Sequence, residues 1–234
     1  MEEEMMLKRI LCGTLAIGLM AAMALPGVAA DGSKKSEEGF KQMFDGKTLD
    51  GWEAYTNSGE LVPLEKSAWS VKDGEIYCNG EKTDYWIILP GGKYGDMTLR
   101  FEFKVTDHSN SGAFFKCPAH DLPAFKGYEV QIQDDHGNAP DLHVTGSIYD
   151  VLCPMRNMSK PKGEWNEMEV INKGTRVKVK LNGFKVIDAD LGQLTEPIGK
   201  FDFPYSELPE KGYIGFQNHG RELWFRNVRM KVAE

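Results

Sequence analysis

The 234-residue chain has little cysteine and no basic run. Of its four cysteines, Cys12 lies close to the N-terminus, which leaves Cys78, Cys117 and Cys153 with no CxxC pair among them. Three thiols can close one disulfide at most, so a disulfide-framed scaffold is excluded, and the spacing does not suggest zinc. The net charge is −7, which argues against nucleic acid as a partner. Sustained helical periodicity is missing beyond the N-terminal region, as are internal repeats and low-complexity segments. No G-x-S-x-G, H-E-x-x-H, P-loop or G-x-G-x-x-G is found, which removes the corresponding hydrolase, metalloprotease and nucleotide-binding frameworks. His108, His120, His136, His143 and His219 show no metal-ligand spacing, and no metal site is expected. The first four of these fall in expected loops, where an ordinary surface histidine is the simpler reading.

One long apolar run is present. Lys8 and Arg9 precede Ile10 to Ala24, followed by Pro26 and then Val28, Ala29 and Ala30. A basic flank, a short apolar core and small residues before the expected cut make a secretory signal peptide over 1–30. The run is too short for a stop-transfer helix, so no membrane span is expected after cleavage. Residues 31–38 read as a polar leader, and 39–234 as one domain, exported to the periplasm or secreted.

Within that domain, short apolar–polar alternations are punctuated by turn signals. Trp69 to Ile76 turns at Asp73-Gly74, and Thr175 to Asp188 turns at Asn182-Gly183, both pairs suited to tight primed hairpin turns. Residues 97–105 place Met97, Leu99, Phe101, Phe103 and Val105 on one face. Further strands are expected over 110–116, 127–135, 166–174, 213–220 and 222–232. Many strands in series with hairpin turns predict an all-β, antiparallel two-sheet sandwich. The long intervals 117–126, 134–146, 153–163 and 188–211 are candidate rims or lids.

The period of two then sorts side chains. If Val130 and Ile132 face the core, then Glu129, Gln131 and Gln133 share the outward face. Ile214 and Phe216 inward leave Gly215, Gln217 and His219 outward. Ala113 and Phe115 inward leave Gly112, Phe114 and Lys116 outward. Ile148 inward leaves Ser147 and Tyr149 outward, and Glu102 joins the outward set if Phe101 and Phe103 are core. A carboxylate, planar amides and an aromatic ring suit sugar hydroxyls and pyranose faces. A plain solvated face is the bland alternative for any one of them.

Retaining β-glucanases of concanavalin-like fold carry E-x-D-x-x-E on a bulged strand. Here the same offsets read Glu129-x-Gln131-x-x-Asp134, with an amide in the middle. Double displacement needs two carboxylates about 5–5.5 Å apart, and the sequence does not supply them, so ordinary retaining hydrolysis is disfavoured.

The segments GFKQMFDGKTLDGW (39–52), WSVKDGEI (69–76), NSGAFFK (110–116), GYEVQIQDD (127–135), GEWNEMEV (163–170), KLNG (180–183), GYIGFQNHG (212–220) and FRNV (225–228) occur in this order. Together they resemble the 3-keto-disaccharide hydrolase domain family, a concanavalin A-like jelly roll. Lys116 departs from the arginine usual there, losing a bidentate fork. The resemblance implies a glycoside whose ring a separate oxidoreductase has oxidised to a 3-ketone. The ketone acidifies the C2 proton, and the enolate expels the C1 oxygen before water adds. That chemistry needs a base, an oxyanion donor and an acid, with no cofactor. The base is expected to be His219 or Glu129, His219 being preferred because an imidazole ordinarily titrates near ~6.5. Glu129 is alternatively the acid, if burial raises it. Lys116 would steady the enolate oxygen, Gln131 and Gln217 would hold hydroxyls, and Tyr149 and Trp165 would stack on sugar rings. Asp134 would orient Lys116 or His219, or else is a turn residue; Trp165 alternatively only opens a strand. A non-catalytic carbohydrate-binding module on the same fold is the competing reading.

Overall fold

The computed structural model describes residues 38–233; the expected signal peptide and most of the polar leader lie outside them. In chain order the strands are β1 (Lys41–Gln42), β2 (Glu53–Tyr55), β3 (Leu61–Val62), β4 (Trp69–Lys72), β5 (Glu75–Cys78), β6 (Trp86–Ile88), β7 (Met97–Val105), β8 (Asn110–Cys117), β9 (Tyr128–Gln133), β10 (Asn166–Lys173), β11 (Arg176–Leu181), β12 (Phe184–Asp190), β13 (Tyr213–Gln217) and β14 (Leu223–Val232). They form two sheets, as the alternation predicts. The larger runs β12-β11-β10-β7-β14-β5-β4, with β1 also on β14; the smaller runs β3-β2-β6-β13-β8-β9. Every strand pairing is antiparallel. Among the described residues, no helix is long and apolar enough to cross a membrane.

Both predicted hairpins close as expected. Asp73 and Gly74 have φ of 53° and 79°, and Asn182 and Gly183 have 51° and 82°. Positive φ at both turn positions matches the twist of the flanking strands, and only glycine, Asn and Asp adopt it readily. β7 alternates without a break between buried and half-buried residues. β6 shows no such alternation, since Trp86, Ile87 and Ile88 are all buried. A three-residue run apolar on both faces carries no period-two signal, which is why the alternation misses it.

The two sheets meet through aromatic rings. Phe216 of β13 stacks on Phe225 of β14 at 4.0 Å between centroids and 11° between planes. Phe101 sets its edge against both, at 5.0 and 5.9 Å. Offset stacks and edge contacts of this kind add roughly 0.5–1.5 kcal/mol per pair beyond the area they bury. The core therefore fixes which face of each smaller-sheet strand looks outward, and that face carries the site.

The open edge of β9 is covered by backbone from 146–149. Gly146 N–H donates to the Gln131 carbonyl at 2.9 Å, Gln131 N–H to the Ser147 carbonyl at 3.1 Å, and Tyr149 N–H to the Glu129 carbonyl at 2.9 Å. Asp135 organises that segment. Its buried carboxylate accepts from Thr145 N–H (2.5 Å), Thr145 Oγ1 (2.8 Å) and Ser159 Oγ (3.1 Å). A paired edge cannot recruit a foreign strand, and here the pairing also carries Tyr149 up to Glu129.

Candidate active site

The outward face of the smaller sheet is built from β9, β8 and β13 in register. Gly112 of β8 lies opposite Gln131 of β9, and Phe114 opposite Glu129. On β13, Gly215 lies opposite Phe114. Gln217 continues the same face and pairs with Trp86 of β6. Two glycines thus occupy the middle of the face, and larger side chains lean over them. A Cβ on Gly112 would overlap Glu129 Oε1, and one on Gly215 would press on the Trp86 ring. The missing side chain at 112 is what lets the Glu129 carboxyl lie flat across β8.

Glu129 is 4% exposed. Lys200, from the long segment after β12, brings Nζ to 3.3 Å from Glu129 Oε2. The same ammonium stands 4.3 Å from the centroid of the Tyr149 ring, an arrangement favoured by the ring quadrupole. Burial drives the Glu129 carboxyl above the usual carboxylate range, and the Lys200 charge opposes this without cancelling it. A carboxyl raised by burial and set beside a cation is the kind of group that proton-transfer sites employ.

Polar groups around it have spare capacity. Gln217 Nε2 donates to the Tyr85 hydroxyl at 2.9 Å, while Gln217 Oε1 is buried with no partner. Gln131 Nε2 makes two long contacts, 3.4 Å each, to Asn110 Oδ1 and Gln133 Oε1, and Gln131 Oε1 likewise has no partner. Buried acceptors of this kind are costly unless something donates to them. Burial pushes the Tyr85 hydroxyl up to about 12, with Gln217 acting in the opposite sense, so the phenol keeps its proton as a donor. Two amide carbonyls, a phenol, a carboxyl and an ammonium suit a polyhydroxylated ring.

Of the expected site residues, Glu129, Gln131, Gln217 and Tyr149 come together here. The others do not. Lys116 breaks the alternation: it takes φ 55°, and two steps on β13, from Tyr213 to Gly215, face three on β8, from Cys117 to Phe114. This bulge turns Lys116 away from the face, and its ammonium donates to the carbonyls of Pro209 at 3.1 Å and Glu210 at 3.5 Å. Burial also pulls that ammonium below the usual lysine range. His219 lies beyond the end of β13 and is exposed. The strand stops at Gln217 because Asn218 turns inward, with its N–H on the Tyr85 carbonyl at 2.8 Å and Nδ2 on the Glu81 carbonyl at 2.7 Å.

Asp134 is the turn residue of the two alternatives. Its carboxylate accepts the His108 N–H at 3.1 Å, and it orients neither Lys116 nor His219. Glu102 does face outward, but on the larger sheet, where Arg226 Nε donates to it at 2.8 Å. Trp165 belongs to that same far face, with the Arg226 guanidinium 3.9 Å and the Lys104 ammonium 4.7 Å from its ring centroid. Lys200 and Tyr85 are members the sequence reading missed. Lys200 lies in an aperiodic loop, and Tyr85 just ahead of the short β6.

Residues 39–231 match the model of the 3-keto-alpha-glucoside-1,2-lyase-like domain. The chain belongs to that family. It is 29% identical over 236 residues to the 3-keto-disaccharide hydrolase of Bacteroides thetaiotaomicron, covering 84% of this chain and 79% of that one. Among solved structures, a Parabacteroides distasonis protein provisionally described as a glycosyl hydrolase superposes with a TM-score of 0.70. The two are 30% identical over 83% of this chain and 99% of that one. A second protein of that organism, described in the same way, gives 0.67 at 25% identity over 84% and 95%. The family match spans both sheets, from β1 to β14, so the jelly-roll sandwich and the family agree.

Proposed function

We propose that this protein cleaves glycosides whose sugar ring has already been oxidised to a 3-ketone. The observation that carries the reading is the buried Glu129 carboxyl with the Lys200 ammonium 3.3 Å away, in a chain of the 3-keto-alpha-glucoside-1,2-lyase-like family. A base removes the C2 proton, and the C–H electron pair moves to form the C2–C3 double bond as the ketone becomes an enolate. Lys200 balances the charge on that oxygen. The enolate then collapses: the C3 carbonyl re-forms, C1 and C2 become doubly bonded, and the C1–O bond breaks. Glu129 delivers its proton to the departing oxygen. Water adds hydroxyl at C1 and a proton at C2, so the net change is hydrolysis. No oxocarbenium ion forms, so a second carboxyl set close to Glu129 is not required.

Gln131, Gln217 and Tyr85 would hold the ring hydroxyls, and Tyr149 would flank a ring face. The substrate would come from a separate oxidoreductase, with this enzyme working in the periplasm or outside the cell. A merely sugar-binding role would leave the desolvated carboxyl and its cation without a purpose. The test is a 3-keto-disaccharide incubated with wild type, Glu129→Gln and His219→Ala, with released monosaccharide measured. The expected result is turnover by wild type, a loss on the order of 10²–10⁴ in Glu129→Gln, and a rate within about twofold in His219→Ala, the ordinary outcome for an exposed side chain away from the site. Full activity in Glu129→Gln would remove the assignment.

A further inference from the structure

With Glu129 as the acid, the base that takes the C2 proton has no owner, and His219 stands outside the face. A different histidine is tied into the site. His143 Nε2 lies 3.2 Å from Asp150 Oδ1. Its ring packs on Tyr149, 4.8 Å between centroids; Tyr149 is the ring under Lys200, which bonds Glu129. An unbroken chain of contacts thus runs from the imidazole to the buried carboxyl.

The dyad is held from several sides. The His143 N–H donates to Asp141 Oδ1 at 2.7 Å, and its carbonyl accepts from Gln133 Nε2 at 2.9 Å. Asp150 N–H donates to the Leu142 carbonyl at 3.0 Å, closing the loop that bears both partners. Gly199, next to Lys200, approaches Asp150 so closely that a Cβ there would strike its backbone oxygen and carboxylate. The charged groups around His143 are therefore Asp150 on the ring, Asp141 on its backbone, and Lys200 and Glu129 beyond Tyr149. Nδ1 has no hydrogen-bond partner among the described residues, and the side chain is half exposed.

We propose that His143, oriented by Asp150, is the base that abstracts the C2 proton of the 3-keto glycoside, so that two groups of opposite duty flank Tyr149. The assignment rests on the 3-keto reading above. Asp150 accepts Nε2–H, which leaves the Nδ1 lone pair to take the proton, and the imidazolium so formed is stabilised by the same carboxylate. When water adds, its hydroxyl joins C1 and its proton passes to the Glu129 carboxylate, while His143 returns the abstracted proton to C2, and the cycle closes. Asp150 touches no substrate and is a positioning residue.

The experiment uses the whole protein and a 3-keto-glucoside, comparing wild type with His143→Gln, His143→Ala and Asp150→Asn. Measured quantities are kcat/KM against pH, exchange of the C2 proton in D2O by NMR, and the melting temperature. Expected for His143→Gln are a loss of 10²–10⁴-fold, about what a general base supplies, loss of the acidic limb of the profile, and abolished C2 exchange. In Asp150→Asn kcat/KM and C2 exchange fall together while the melting temperature stays near that of wild type, since the imidazole has lost the partner that orients it. Added imidazole restores part of the activity of His143→Ala, which a purely structural role would not allow. Active wild type with undiminished exchange in His143→Gln overturns this inference alone. Wild type inert toward the 3-keto-glucoside overturns both this assignment and the function beneath it.

Discussion

Lys200 Nζ lies 3.3 Å from Glu129 Oε2, yet the carboxyl still titrates above its ordinary range. One nearby cation does not repay the loss of water around a group with 4% exposure. The pair is thus poised, neither a strong salt bridge nor a neutral contact.

Removing the cation exposes this balance. In Lys200→Met both influences that lower Glu129 disappear, so the carboxyl moves further up. The basic limb of the kcat profile, set by the protonated acid, shifts to higher pH, and kcat falls on the order of 10²-fold for the lost oxyanion partner. An unchanged limb would mean that the two groups are uncoupled in solution.

Stability carries the same signature. A carboxyl whose folded pKa exceeds its unfolded value binds more protons when folded. It therefore costs stability as pH rises from about 4.5, its ordinary value, through the raised folded value. Glu129→Gln lacks this cost. The melting temperature of the variant minus that of wild type should grow from pH 4 towards pH 7, by calorimetry. A difference independent of pH would place the carboxyl in an ordinary solvated setting.

Gly112 supplies the floor on which the carboxyl rests. Gly112→Ala forces Glu129 to another rotamer, and overpacking of this sort costs roughly 1–3 kcal/mol. Circular dichroism should report a folded variant with a lowered denaturation midpoint, and cleavage should fall much more steeply than stability. Equal activity would show that the carboxyl is not needed where it lies.

Asp135 holds the backbone that seals β9. In Asp135→Ala four donors, Thr145 N–H, Thr145 Oγ1, Ser159 Oγ and Gln133 Nε2, lose a buried charged acceptor, worth about 3 kcal/mol in total. Hydrogen exchange should quicken first at Thr145 to Tyr149 and at the facing amides of β9. Protection unchanged there would transfer the sealing role to the backbone bonds alone.

Much of this was legible from alternation. The parity of Tyr128 to Gln133 and of Tyr213 to Gln217 followed from a period of two against a core, and it placed Glu129, Gln131 and Gln217 correctly. Parity does not say which sheet a strand joins. Glu102 faces outward as expected, but from the other layer, because both sheets have an outward face, and Trp165, expected to stack on a sugar ring, stands on that layer too. Lys116 failed for another reason: a non-glycine residue at φ 55° leaves no mark in the sequence, and one extra residue inverts a side chain's direction. Lys200 and His143 come from loops, where contacts are set by closure rather than by any repeat.

The wall carrying Lys200 and the loop carrying His143 are joined by Gly199 resting on Asp150, and neither contributes rings to the Phe101–Phe216–Phe225 stack. Segments 197–203 and 141–150 therefore form a matched set, to be exchanged only with Ile148 and Phe201 kept in the core and the 146–149 backbone kept on β9. Transplanting one without the other would misalign donor and acceptor halves, so altered sugar preference in this scaffold should be engineered two loops at a time.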